Sequence, residues 1–226
     1  MNKIAISSLI GGILLATGAQ AEITGNVALS SDYMFRGVSQ TDSTPSISGG
    51  FDYSHESGFY AGVWASNVDS GFYAEANVEI DTYFGYAGGS DNFSYDVGFL
   101  RYNYPGTSFD DNDTNEVYGS VGYDFGAVAV SAGIAVSSDF YGGDNSEYYS
   151  FGADIPVGDY SIALGYGIQD VDDYQNYDHY SVGISGEMAN LGLDLTWYSA
   201  DSDADTYAGD DNLTDSRVVF TVSKSL

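Results

Sequence analysis

FYAEANVEIDT, residues 72–82, sets Glu75, Asn77, Glu79 and Asp81 at alternate positions, with Ala74, Ala76, Val78 and Ile80 between them. Successive side chains of a strand point to opposite faces. The stretch, extended to residue 86, therefore predicts a strand with carboxylates on one side and small or branched apolar groups on the other. Alone, such a strand could equally be the solvent face of a soluble sheet. Its surroundings decide between that and a membrane barrel.

Period-two segments recur from end to end. In the first, Ile23, Gly25, Val27, Leu29, Tyr33 and Phe35 alternate with Thr24, Asn26, Ala28, Ser30, Asp32 and Arg36. Twelve strands are expected, over 23–37, 44–54, 59–67, 72–86, 93–104, 115–125, 128–138, 147–156, 160–168, 177–186, 191–200 and 213–225. The connections alternate as well. HESG (55–58), AGGSDN (87–92), GA (126–127), VGD (157–159) and EMAN (187–190) are hairpin turns. VSQTDST (38–44), PGTSFDDNDT (105–114), residues 139–146, QDVDDYQN (169–176) and DSDADTYAGDDN (201–212) are longer, with NVDSG (67–71) the short exception.

Short turns on one rim, longer loops on the other and an even strand count predict an all-β fold: a closed antiparallel transmembrane β-barrel of about 12 strands, of the outer-membrane type. Closure is required because the unpaired backbone groups of an open sheet edge cannot sit in hydrocarbon. Both termini and the short turns would face the periplasm. In the opening stretch Ala74, Ala76, Val78 and Ile80 would face lipid, and Glu75, Asn77, Glu79 and Asp81 a wet lumen. Elsewhere Leu191, Leu193, Leu195 and Trp197 share one face, opposite Gly192, Asp194, Thr196 and Tyr198. Phe59, Tyr60, Phe72, Phe93, Tyr123, Phe125, Tyr160 and Tyr180, near strand ends, are expected in interfacial girdles. Gly122, Gly152, Gly165, Gly167 and Gly183 on the opposite face leave space or allow tight curvature.

Residues 1–21 read as a secretory signal: Lys3, an apolar run from Ile4 to Leu15, then Ala19-Gln20-Ala21. Residues 22–226 would form the barrel domain. Removing the signal takes Lys3 with it and leaves 33 acidic against four basic residues, a net charge near −29. That field repels phosphates and argues against any nucleic acid partner. An exported chain with no cysteine has no disulfide and no thiolate metal site.

SSDYMFRGVSQ (30–40) and SISGGFDYSHESGFYAGVWASNVD (46–69), with YDVGFLRYNYPG (95–106) and EVYGSVGYDF (116–125), resemble TorF-family porins, a proteobacterial conserved hypothetical outer-membrane family. The resemblance implies an outer-membrane barrel of a Gram-negative bacterium and a pore, and carries over no catalytic residue. The glycine-cysteine-tryptophan signature of that family stands here as Gly62-Val63-Trp64, without the thiol. The carboxyl-terminal RVVFTVSKSL resembles the final strand by which such barrels are recognised for assembly, ending in Leu226 where an aromatic is usual.

On parity the residues expected to line the lumen are Asp32, Arg36, Asp52, Glu75, Glu79, Asp81, Asp96, Asp194 and Arg217. Arg36 and Arg217 lie at the upper ends of the first and last strands, which closure makes neighbours. They are expected to meet carboxylates such as Asp32, Asp52 and Asp215, either in a sealing ion-pair cluster or as one side of a transverse field. Arg101 falls on the outer face.

Asp201, Asp203, Asp205, Asp210 and Asp211 form a weak candidate metal site for Ca2+ or Mg2+, and Asp110, Asp111 and Asp113 a second acid cluster. The first loop lacks the glycine and terminal glutamate of the twelve-residue calcium loop, so a hydrated loop or diffuse divalent binding near lipopolysaccharide competes with a specific site. No cofactor is expected.

There is no Gly-x-Ser-x-Gly elbow, phosphate-binding loop or His-Glu-x-x-His run, and His55 and His179 read as isolated surface residues. The chain is expected not to be an enzyme. The expected function is passive diffusion of small hydrophilic solutes or cations, the alternative a non-conducting structural or adhesion barrel. Expected partners are outer-membrane lipid and lipopolysaccharide, the barrel-assembly machinery, and the solutes themselves.

Overall fold

The computed structural model describes residues 21–109, 112–142, 144–174 and 176–226. The expected signal segment, apart from Ala21, lies outside the described residues, as do Asp110 and Asp111.

Twelve antiparallel strands close into a barrel in chain order. They are β1 (Glu22–Ser30), β4 (Ser46–Ser54), β5 (Phe59–Asn67), β6 (Val78–Ser90), β7 (Phe93–Asn103), β8 (Thr114–Asp124), β9 (Ala129–Phe140), β10 (Asp144–Val157), β11 (Tyr160–Val171), β12 (Tyr177–Met188), β13 (Leu191–Ala200) and β14 (Arg217–Ser225). A small hairpin, β2 (Met34–Phe35) with β3 (Val38–Ser39), stands apart from the wall. β14 closes on β1 with Leu29 opposite Val222. The Leu226 N–H donates to the Gly25 carbonyl at 2.9 Å, so the pairing runs to the last residue.

The facing follows from the alternation. Leu195 and Trp197 are 47% and 40% exposed while Thr196 between them is 8% exposed. Ile23, Leu29, Phe51, Val97, Val117, Ile184, Val218 and Phe220 extend the outer apolar surface around the barrel. By strand parity, charge on this face among the described residues is confined to the strand ends: Arg101, Glu147, Asp170 and Asp178 at the long-loop rim and Lys224 at the short-turn rim. A charge-free middle flanked by polar ends suits a hydrocarbon layer, where charge at the midplane costs about 2–4 kcal/mol. At the short-turn rim Tyr86, Phe93, Tyr95, Tyr123 and Phe125 cluster as a girdle; the Tyr123 and Phe125 ring centres are 4.6 Å apart. Tyr60 and Phe72 do not join it: Tyr60 is buried on the inner face, and Phe72 packs with the loops at the other end.

The tight turns follow from local chemistry. Ala189 and Asn190 between β12 and β13 have φ of 54° and 60°, the two-residue left-handed turn that matches strand twist. At the opposite rim β14 begins at Arg217 instead of residue 213, and two other expected strands are cut shorter still. The first ends at Ser30 instead of residue 37, and β6 begins at Val78 instead of residue 72. Both missing segments fold inward.

Candidate functional site

Beyond Ser30 the chain stays tied to the closing strand: the Ser31 N–H bonds the Phe220 carbonyl at 2.9 Å, and the Phe220 N–H bonds Ser31 Oγ at 3.0 Å. It then drops into the lumen as the β2–β3 hairpin. The two turn residues, Arg36 and Gly37, have φ of 49° and 85°. Gly37 lies so close to β12 that a Cβ there would come 2.6 Å from His179 Cβ. Arg36 is a non-glycine residue in a left-handed conformation, which costs about 1–3 kcal/mol and persists only where the surroundings over-determine it.

Those surroundings are the far wall. Arg36 Nη2 donates to both carboxylate oxygens of Glu116 on β8 at 2.8 Å, and Nη1 donates to Gln169 Oε1 on β11 at 2.8 Å. Its guanidinium carbon lies 4.0 Å from the Tyr148 ring centre and 4.7 Å from that of Phe35. The Arg36 and Glu116 side chains are 4% and 1% exposed. Burial alone would lower the guanidinium pKa, but the adjacent Glu116 carboxylate holds it above the ordinary value, so Arg36 stays charged. Glu116 also accepts from the Tyr102 hydroxyl at 3.0 Å, and Gln169 Nε2 donates to Ser146 Oγ at 2.7 Å. The hairpin tip thus bridges β8 and β11 across the lumen.

The hairpin base is clamped through Asp32. Its carboxylate accepts from Ser39 Oγ at 2.7 Å, Thr41 Oγ1 at 2.8 Å and Arg217 Nη1 on β14 at 2.8 Å. Tyr33 donates to Glu79 Oε1 at 2.8 Å and stands edge-on to Trp64, ring centres 5.4 Å apart. Tyr104 donates to Glu79 Oε2 at 2.9 Å and stacks on Tyr73, whose hydroxyl bonds the Gln40 side chain. Residues 68–77 form this second inward loop, with Tyr73 and Ala76 buried.

These loops rearrange part of the expected site. Ala74 and Glu75 have φ of 47° and 79°, a bend that takes residues 72–77 off the barrel wall. Ala76 is buried inside instead of facing lipid, and Glu75 is exposed in the loop instead of lining the lumen. Glu79 and Asp81 on β6 are buried and inward, and Asp81 Oδ1 has no hydrogen-bond partner. Asp32 and Arg217 pair at the loop end, whereas Arg36, expected beside them, reaches away across the lumen to Glu116 and Gln169. Asp52 is elsewhere, bonded by the Tyr83 hydroxyl, and Asp215 meets Arg217 only through its carbonyl. Arg101 stays on the outer face at the rim, paired with Asp113 at 2.7 Å.

Below the hairpin lies a cavity of about 330 Å3 along β6 to β13. Serines, glycines, Thr196 and the carboxylates of Asp96, Asp154 and Asp194 line it. Tyr60 donates to Asp96 at 2.7 Å, and Thr196 Oγ1 donates to Asp194 at 2.8 Å. Gly122, Gly152, Gly165 and Gly183 contribute space. Gly167 sits higher, where an added Cβ would lie 2.2 Å from His179 Nε2 and 2.6 Å from the Tyr148 hydroxyl. Among the described residues, the carboxylates that are buried in the lumen, line its cavity or accept from an inward tyrosine are thus Asp32, Asp52, Glu79, Asp81, Asp96, Glu116, Asp154 and Asp194, against the guanidinium groups of Arg36 and Arg217.

The acidic loop at 201–211 is built by its own carboxylates. Asp201 accepts from the Asp178 and Asp203 N–H groups at 3.0 and 3.1 Å. Asp203 and Asp205 occupy the first turn of α1 (Asp203–Ala208), where Asp205 accepts from the Thr214 hydroxyl. Asp210 caps the 3-10 turn Asp211–Leu213. These carboxylates cap backbone ends rather than converge, and among the described residues no group of three acids, histidines or cysteines is placed to hold a metal ion.

Sequence reasoning missed Glu116, Asp154, Gln169 and Tyr148. Glu116 and Asp154 were accessible from parity, since each alternates with outward Val117 or Ala153. His179 is not a surface residue: it is 1% exposed on the inner face of β12, with its Nε2 3.0 Å from the Tyr148 hydroxyl.

Residues 16–226 match the family model described as "Bacterial protein of unknown function (Gcw_chp)". No curated protein sequence matches the chain. Among solved structures, a KdgM porin in complex with disordered oligogalacturonate has a TM-score of 0.62 at 11% identity, covering 91% of this chain and 99% of that one. A NanC porin gives 0.56 at 11% identity, covering 89% and 97%. An outer membrane channel from Pseudomonas putida F1 gives 0.56 at 11%, covering 93% and 97%. At these identities the likeness is one of fold alone: a closed β-barrel resembling those of known outer-membrane porins.

Proposed function

The chain belongs to the Gcw_chp family of bacterial proteins, and we propose that it is an outer-membrane porin for passive diffusion of small hydrophilic solutes or cations, narrowed by the Met34–Ser39 hairpin. The observation that carries this reading is the lumen itself: a cavity whose serines, glycines and three aspartates stand among tyrosines and aliphatic side chains, capped by one hairpin held across it through Arg36. Eight inward carboxylates against two guanidinium groups give the path a cation preference. The acidic oligosaccharide bound by the KdgM porin does not suit such a field. In this reading the chain performs no catalysis, and the lipid-facing band and carboxyl-terminal strand serve insertion into the outer membrane among its lipid and lipopolysaccharide.

The burial of Arg36, Glu116 and Gln169 favours a second reading, a barrel whose hairpin never leaves and which does not conduct. Single-channel recording in planar bilayers separates the two. Replacing residues 34–39 by a short glycine-serine link should raise unit conductance above that of the wild type. Silence of both proteins, folded and inserted, would reject the channel and leave the structural barrel.

A further inference from the structure

Above the hairpin, on the long-loop side, a second cavity of about 240 Å3 is enclosed by different chemistry. Among the described residues fourteen side chains line it, nine aromatic rings, two valines and three carboxamides, none formally charged. Two of the carboxamides are already committed. Gln40 donates to the Val38 carbonyl at 2.8 Å and accepts from Tyr73, while Gln169 is shared between Arg36 and Ser146. What the cavity offers a ligand is therefore mainly ring surface. Tyr207 stands at 70° to Tyr174 with centres 6.0 Å apart and at 39° to Tyr177 at 5.0 Å, so the rings form angled walls and not one flat stack.

Two observations indicate the sign of the occupant. The loops that carry these rings also carry Glu75, Asp172, Asp173, Asp210 and Asp211, all exposed, so an approaching solute meets a negative field before it meets the rings. The rings themselves already hold a cation from the other side: the Arg36 guanidinium lies 4.7 Å from the centre of Phe35 and 5.9 Å from that of Phe140, and both rings line the cavity. Aromatic faces attract cations through their quadrupole, and angled rings without a competing carboxylate select bulky, weakly hydrated ones.

We infer that this aromatic cavity binds an organic cation, an alkylated or quaternary ammonium group of about the size of choline. An anion is repelled by the rim. A neutral sugar could use the tyrosine hydroxyls but gains nothing from the negative rim or from the ring quadrupoles. The site does not depend on conduction, because binding is measured without any current.

Titration calorimetry on the folded, detergent-solubilised chain tests it with choline and its neutral isostere 3,3-dimethylbutan-1-ol at low salt. Choline should bind at least tenfold more tightly than the isostere, and the gap should shrink as salt is added. Tyr207→Leu should weaken choline at least fivefold, whereas Tyr207→Phe, which keeps the ring, should bind nearly as the wild type does. Equal affinity for choline and the isostere, preference for glucose, or no binding of choline by the folded wild type would each overturn the inference. These outcomes are read on the unaltered chain, so a Tyr207→Leu variant that fails to fold leaves the test intact.

Discussion

Arg36→Met removes the positive half of the ion pair that bridges the lumen. Glu116, 1% exposed, would keep only the Tyr102 hydroxyl at 3.0 Å, and Gln169 Oε1 would lose its donor. Taking one partner from a buried pair costs about 3–5 kcal/mol, because the remaining charge stays desolvated without compensation. The loss is the same in kind if the hairpin stays docked over a bare carboxylate or leaves and forfeits its contacts. Glu116→Gln alone strands the guanidinium and is expected to cost a similar amount. The double variant Arg36→Met/Glu116→Gln buries no unpaired charge and keeps an acceptor for Tyr102, so it should lie within about 2 kcal/mol of the wild type. Urea unfolding in lipid, followed by tryptophan fluorescence, measures all four proteins. Trp64 stands edge-on to Tyr33 at the hairpin base and reports its release directly. Single-variant losses that add within about 0.5 kcal/mol would refute the bridge as the element holding the hairpin.

On the outer face, Val97→Arg near the middle of β7 should cost about 2–4 kcal/mol and lower folding yield into liposomes, whereas Val78→Arg at the loop end of β6 should cost about 0–1 kcal/mol. Heat-modifiable gel mobility reads both, and equal yields would contradict the facing. Protease sites inserted after residues 108 and 206 should be cut on intact cells while one after 158 is protected; the reverse pattern would invert the topology. In the loops, burial, then neighbouring phenols and Glu79, raise the hydroxyl pKa values of Tyr73, Tyr104 and Tyr141 above the usual 10.0. A raised folded pKa gives stability that is complete below about pH 10 and lost as pH climbs through the folded values. Ultraviolet titration should therefore show fewer tyrosinates in the native than in the unfolded protein at pH 11, and equal numbers would place these hydroxyls in water.

The wall of the barrel was legible because side-chain period is a direct consequence of strand geometry, and an outward apolar face keeps the alternation intact within the wall strands. The inward loops were not. Tyr33 and Phe35 continue the parity of β1 because a hairpin alternates too, and nothing in that pattern marks where the chain leaves the wall. Ala74 and Ala76 read as lipid-facing since alanine fits a buried loop and an apolar strand face equally well, and the bend at Ala74 and Glu75 carries no glycine or proline to announce it. Arg36-Gly37 was the available clue: a glycine-containing pair between the short runs Met34-Phe35 and Val38-Ser39 fits a hairpin turn, but arginine is an unusual first turn residue. SSDYMFRGVSQ, one of the stretches that carry the family resemblance, is the segment that enters the lumen.

The reversal potential of single wild-type molecules across a potassium chloride gradient at low salt, where screening is weakest, tests conduction and its sign together. Eight inward carboxylates against two guanidinium groups predict discrete currents that favour potassium. A preference for chloride, or no current from protein shown to be folded and inserted, would contradict the proposed function.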